Sequence, residues 1–307
     1  MIINLTRSAE HHVQWPSFLV TILCYGLWAA LTTLVAQWSF ATAIILLPCV
    51  ITLHSSLQHE VLHGHIFKAA IMRYLVAFPA LGIFVPYERF RDTHLDHHVD
   101  TRLTDPYDDP ESNFQDPVEW ERKPFIIRTF YTLNNTLMGR MVFGPAISLM
   151  AFYKKDMKAI FDGETRIIRA YAMHGLGLWP VLLWLQELSP LSITSYLIAS
   201  YAGMSILKIR TYLEHRAHEN ANGRSVIIED RGLLSLLFLN NNYHALHHEK
   251  PWLAWYKLPV EYRKFRDAVL TRNDHYIFKN YAQIFRKFLL KQKDHVAHPL
   301  RSSRLEG

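Results

Sequence analysis

From Ser17 to Leu53 the chain carries no Asp, Glu, Lys or Arg. Gln37-Trp38-Ser39 divides this run into two apolar pieces, each close to the ~20 residues that a helix needs to cross a bilayer. The pattern recurs from Ala170 to Leu207, where Glu187 is the only charged residue and Glu187-Leu188-Ser189-Pro190 makes the break. Inside hydrocarbon every backbone N–H and C=O must be satisfied within its own segment, which a helix achieves. The sequence therefore predicts an all-α integral membrane protein with two transmembrane hairpins. Its four spans fall near residues 17–37, 39–57, 170–187 and 191–208. A signal peptide fits the first span poorly, because the run is too long, lacks a small-x-small cleavage site and leads directly into a second span.

The 307 residues have a formal net charge of +6. A basic chain suggests nucleic acid as a partner, but the distribution of charge gives another account. With both hairpins crossing, every Lys and Arg falls on the side shared by the termini and the central loop, and the two far turns carry none. That is the positive-inside pattern, which places the termini and the basic side in the cytosol facing anionic headgroups. No nucleic-acid partner is expected. Trp15, Trp38 and Trp179 sit near span ends, as interfacial anchors do. Cys24 and Cys49 lie within apolar spans without a CxxC or Cys/His pairing, so they read as packing residues, and neither a disulfide framework nor a thiolate metal site is indicated.

Between the hairpins, residues 71–86 are apolar but too short to cross comfortably, with Arg73 near the start and Pro79 and Pro86 interrupting. They read as an interfacial segment, and a segment that does not cross keeps its two flanks on one face. Thr104 to Ser112 is dense in acid and proline, which disfavours a helix there. Residues 133–152 contain Arg140, Gly144 and Pro145 and read as a second interfacial segment. Residues 88–169 and 209–307 are expected to build a helical cytosolic cap on one domain, residues 1–307. There is no internal repeat and no low-complexity tract beyond Asn240-Asn241-Asn242.

Three clusters hold much of the histidine: His59-Glu60-Val61-Leu62-His63, His94-Leu95-Asp96-His97-His98 and His244-Ala245-Leu246-His247-His248. The last two share the spacing HxxHH. Positions i, i+3 and i+4 lie on one helix face, so each cluster can aim its imidazoles at a common point. Imidazole in this quantity suits Fe, Zn, Cu or Ni rather than Mg or Ca. His215, just beyond the fourth span, is a ninth candidate, with His218 on the same face as its rival. Nine nitrogens are too many for one ion and fit two. His11, His12, His174, His275, His295 and His298 read as ordinary surface or core histidines, as do His54, His65 and His218 beside the clusters.

Glu60, Asp96, Glu214 and Glu249 each adjoin a candidate ligand. A ligating imidazole commonly gives its other N–H to a carboxylate, so supporting roles are plausible for one or two of these four. His59 to His63 is also literally HExxH, the signature of zinc proteases in which Glu acts as general base. That reading leaves both HxxHH clusters unexplained, and no separate third ligand stands out.

HExxHG after the second span and HxxHH before the central loop and after the fourth span together resemble the membrane fatty acid desaturase superfamily, whose relatives include alkane hydroxylases and carotenoid ketolases and hydroxylases. The likeness runs from about His54 to Pro259. Its bacterial branch is suggested by Thr211-Tyr212-Leu213-Glu214-His215, by Asn222-Gly223-Arg224-Ser225, and by Asn242-Tyr243-His244 through His248 followed by Trp255-Tyr256-Lys257-Leu258-Pro259; part of that last region also looks like carotenoid ketolases. The resemblance implies a di-iron centre held by His59, His63, His94, His97, His98, His215, His244, His247 and His248. It implies O2 as co-substrate, a lipid or other hydrophobic substrate, and desaturation or, on the same scaffold, hydroxylation or ketolation. With no flavin, haem, ferredoxin or nucleotide signature in the chain, a separate electron donor such as a ferredoxin or cytochrome b5 is expected. The resemblance also points to a bacterial inner membrane. One departure is the three-residue gap in the first box, where some animal and plant desaturases have four; it favours the bacterial or hydroxylase-like end.

Overall fold

A computed structural model describes residues 13–301; His11 and His12 lie outside the described residues. The first apolar run forms α1 (Trp15–Thr32), α2 (Leu34–Trp38) and α3 (Phe40–Leu62). Pro16 stands in the first turn of α1, where its missing N–H is not needed. Thr33, at φ −122° and ψ −88°, separates α2 from α1. Ser39 then caps α3 by accepting a hydrogen bond from the Thr42 N–H.

Further along come α4 (Ala70–Ala77), α5 (Tyr87–His97), α6 (Pro117–Arg122), α7 (Phe125–Asn134), α8 (Leu137–Val142) and α9 (Gly144–Phe161). The second apolar region forms α10 (Thr165–Leu188) and α11 (Ile193–Thr211), and Ser192 caps α11 through the Ser195 N–H. The remainder contains α12 (Leu233–Leu237), α13 (His244–Glu249), α14 (Leu258–Arg272) and α15 (Tyr281–Phe288). Strands are nearly absent among the described residues: β1 (Ile227–Ile228) pairs in parallel with β2 (Ile277–Phe278).

The contact between α3 and α11 is close because Gly203 presents no side chain. A Cβ there would lie 3.1 Å from both Pro48 O and Ile51 Cγ2. Thr52 Oγ1 spans the gap, 2.8 Å from Pro48 O and 2.9 Å from Gly203 O. Cys24, Leu47, Ile51, Leu57 and Tyr196 fill the apolar core between these helices and α1. Trp28 Nε1 donates to the Tyr196 hydroxyl at 2.8 Å, which donates to Leu81 O at 2.9 Å. These buried hydroxyl and indole groups thus find partners inside the apolar bundle, as the medium requires.

Residues 71–86 are one short helix and a proline-bounded loop. Leu81 is buried in the bundle, and the Ala80 N–H donates to Gly177 O of α10, whereas Ile71, Met72 and Leu75 are exposed. Residues 133–152 do not form one continuous helix; α8 and α9 divide at Phe143.

Among the described residues two helices are long and apolar enough to cross a membrane, Trp15–Trp38 taken through its break and Phe40–Leu62. The count of four expected from missing charge is not reached. Helix α10 begins with Arg166 and Arg169 and carries His174 and Gln186-Glu187, and α11 runs uncharged only over 193–207 before Lys208 and Arg210. Charged and polar side chains of this kind are costly to place in hydrocarbon.

Candidate metal centre

His59 lies in the last turn of α3 and His63 caps its C-terminus. His94 and His97 end α5, with His98 at its C-cap. His244, His247 and His248 occupy the short helix α13. His215 follows α11 in extended backbone that bridges to Ser225. The structure brings these nine residues together in two groups, His59, His63, His94, His98 and His247 in one, and His97, His215, His244 and His248 in the other. Within each group the candidate ligand atoms lie within 4.8 Å of one another.

Each HxxHH box is shared between the groups in the same way. At 3.6 residues per turn, i+4 lies about 40° from i while i+3 lies about 60° away on the opposite side. Accordingly His94 and His98 join the five-membered group and His97 turns to the other, while His244 and His248 join the four-membered group and His247 crosses over. The groups abut, since the His98 and His248 rings stack at 4.3 Å.

The convergent atoms are Nε2. His97 and His244 Nε2 lie 2.9 and 3.0 Å from His215 Nε2, and His94 and His247 Nε2 lie 3.0 and 3.2 Å from His98 Nε2. A first-row ion holds imidazole nitrogen at ~2.0–2.1 Å, so two imidazoles at right angles around it stand about 3 Å apart. Buried Nε2 of His59 and His63 find no hydrogen-bond partner. Orphaned, converging lone pairs at these separations fit a pair of metal ions.

The outward nitrogens are held by other groups. His97 Nδ1 donates to Asp109 Oδ1 at 2.7 Å and His94 Nδ1 to Glu111 Oε1 at 2.9 Å. Ser225 Oγ lies 3.1 Å from His215 Nδ1, and Asn241 Oδ1 lies 3.4 Å from His244 Nδ1. Asn241 Nδ2 donates in turn to Glu214, which pairs with Arg210 at 3.1 Å. Lys293 Nζ donates to the backbone O of His215, tying the C-terminal segment to the site. Burial first, and the crowd of imidazoles second, hold His63, His98, His215, His244 and His247 well below the usual histidine range, leaving them neutral with a lone pair to give. His97 is different. Burial would lower it, but Glu111 and the Asp109 hydrogen bond hold it up at about 9.

Of the four carboxylates that adjoin a cluster in sequence, Glu214 lies 3.7 Å from His244 Nδ1. Glu60 is buried and accepts from the Trp255 N–H at 3.2 Å. Asp96 and Glu249 face outward and pair with Arg102 and Arg272. The carboxylates that touch candidate ligands directly are Asp109 and Glu111, which sequence reasoning left without a role. Their signal was the acid-rich loop that follows the second box. His218, the rival of His215, bonds to Asn220 O and Asp274 away from both groups.

A helical scaffold whose buried imidazoles converge in two adjacent groups defines a histidine-rich metal-binding protein. The fatty acid desaturase family matches residues 36–280, most of the chain, and the chain belongs to that family. Its members are oxidoreductases. Among curated proteins, none matches the chain closely enough to serve as a relative.

Proposed function

We propose that this protein is an O2-dependent di-iron desaturase that introduces a C=C bond into a fatty acyl chain carried as lipid or thioester. The observation that carries this reading is the sorting of nine imidazoles into groups of five and four. His59, His63, His94, His98 and His247 would hold one iron, and His97, His215, His244 and His248 the other. Imidazole in this number suits such an ion and not Mg or Ca. When bound, the iron pair supplies activation of O2 against an unactivated C–H bond. The chain's own residues do the rest. Asp109, Glu111 and Ser225 fix the tautomers so that Nε2 points inward, and the buried surroundings keep water from the reacting carbons.

Electrons come from a separate carrier, a ferredoxin or a cytochrome b5, which the net positive charge suits. An electron-transfer rate insensitive to salt would count against this. The membrane reading is four spans with the clusters on the cytosolic side of a bacterial inner membrane. Exposed apolar side chains support it on both pairs of helices, such as Leu19, Ile22 and Ile45 on the first and Trp179, Ile193 and Ile198 on the second.

Metal analysis of the purified protein and mass spectrometry of lipids from cells with and without the gene test the reading. About two irons per chain and a product lighter by two hydrogens are expected. One zinc without iron overturns the reading. Gain of one oxygen instead assigns hydroxylation, and gain of one oxygen with loss of two hydrogens assigns ketolation; the three-residue gap between His59 and His63 leans towards the hydroxylase-like end.

A further inference from the structure

Beside the four-histidine group lies a cavity of about 410 Å3, bounded by α5, α8, α9, α11 and residues 293–295. His215, Glu111 and Glu214 line it, so it reaches the candidate metal centre. Apolar wall is supplied by Phe90, Ile147, Phe152, Met204 and Leu207. Six Lys and Arg side chains line it. Lys155 is exposed to solvent, and three have acidic partners: Arg89 with Asp156 at 2.6 Å, Arg210 with Glu214 at 3.1 Å, Lys293 with Asp294 at 3.3 Å.

Arg140 and Lys208 are different. Neither has a carboxylate within ion-pair distance among the described residues. Arg140 is 4 % exposed, and its Nε donates only to a backbone oxygen, that of Asn134 at 2.9 Å. Its stem occupies the space left by Gly144, where a Cβ would stand 3.0 Å from Arg140 Cδ. Lys208 Nζ donates to Ser148 Oγ at 2.7 Å. Asp294 acts on Arg140, and Glu111 and Glu214 on Lys208, only from beyond ion-pair distance. Two cations in a partly dry wall thus lack a directly bound counter-charge, and a ligand that brings one relieves the cost.

We propose that Arg140 and Lys208 form the subsite for the anionic head, carboxylate or phosphate, of the amphiphile that this protein acts on. Its hydrocarbon lies along Phe90, Ile147, Phe152, Met204 and Leu207 on the way to His215. That this amphiphile is acted on rests on the oxidoreductase reading above; its chemical class rests on the cavity alone. Alkanes and carotenes, which carry no charge, have no use for such a subsite.

The test is direct binding to the full chain in detergent, stripped of metal, with hexadecanoate, hexadecyl phosphate, hexadecanol and inorganic phosphate as probes. One or both anionic amphiphiles should bind about 10- to 100-fold more tightly than hexadecanol, as charge-assisted hydrogen bonds predict. The tighter of the two assigns carboxylate or phosphate. Lys208→Met, at a half-buried position, should remove most of that preference, and Arg140→Lys should weaken it while keeping the charge. Equal affinity for hexadecanol and hexadecanoate with no gain for hexadecyl phosphate overturns the proposal, as does an unchanged preference in Lys208→Met. Binding of inorganic phosphate that leaves every amphiphile unaffected also overturns it. Iron content, measured separately on protein purified with its metal, keeps the two readings apart. Anion preference without iron leaves the subsite standing and removes the desaturase; two irons without anion preference does the reverse.

Discussion

His97 Nδ1 lies 2.7 Å from Asp109 Oδ1, and that carboxylate is fixed in its turn by the backbone N–H groups of Glu111 and Thr104, at 2.9 and 2.8 Å. The loop after the second histidine box therefore folds around Asp109 so that the carboxylate sets which nitrogen of His97 faces the four-histidine group. Removing it as Asp109→Ala should lower metal affinity there by about 10- to 100-fold, the usual effect of losing a partner that orients a ligating imidazole. Iron retained after a timed chelator challenge reads this. Asp96→Asn, on an exposed residue paired with Arg102, is the control and should retain metal like the parent. Equal retention by all three proteins would remove Asp109 from the site.

The histidines were legible in the sequence because helical spacing is local: once His94, His97 and His98 are on one helix end, their face is settled within a turn. The partition between the two groups was implicit in the same angles, yet it needed the direction of α13 relative to α5, a tertiary fact. Asp109 and Glu111 stayed hidden for a related reason. They reach His97 and His94 through a loop, and proline-rich loops carry no periodicity from which a direction can be read. The first pair of apolar helices, α1–α2 and α3, was plain because few of its residues are polar. The second pair, drawn from missing charge, carries His174, Gln186 and Ser195, so its apolar signal is weaker.

The alternating partition makes neighbouring residues differ in effect. His97→Ala should impair the four-membered group and His98→Ala the five-membered one, though they are adjacent in sequence. Both variants should lose most activity and bind close to one ion tightly. Cobalt-loaded protein separates them, because four- and five-coordinate ions differ in visible absorption. His97→Ala should keep mainly the spectrum of the five-nitrogen site, and His98→Ala that of the four-nitrogen site. Identical residual spectra would mean that the groups do not bind independently.

Metal-free protein should be acid-sensitive from near neutrality. His63, His98, His215, His244 and His247 are held well below 6.5 in the folded chain, chiefly by burial. Below about pH 6.5 the unfolded chain takes up protons that the folded chain refuses, so stability falls as pH falls. His97 runs the other way. Its folded value near 9 exceeds the unfolded one, so its contribution is complete below about 6.5 and is lost as pH rises through 9. Between pH 6.5 and 5 the contribution of His97 is already constant, so the five lowered imidazoles predict a thermal midpoint that drops steadily over that interval in chelator-treated protein. A midpoint flat across that interval would show that these imidazoles are not held neutral by folding.

Glu60 separates a protease from a supporting carboxyl. In a zinc protease the glutamate of HExxH is the general base and its loss as Glu60→Gln is close to complete. In this structure Glu60 instead accepts from the Trp255 N–H at 3.2 Å, and it is 4 % exposed. A glutamine amide oxygen accepts that bond equally well. Glu60→Gln should therefore retain two metals per chain and most of its activity on lipid. Glu60→Leu leaves the Trp255 N–H buried without a partner, which costs about 1–3 kcal/mol. That loss should appear as a lower thermal midpoint, with the metal content of surviving folded protein unchanged. Abolished activity in Glu60→Gln at full metal loading would return Glu60 to the reacting atoms.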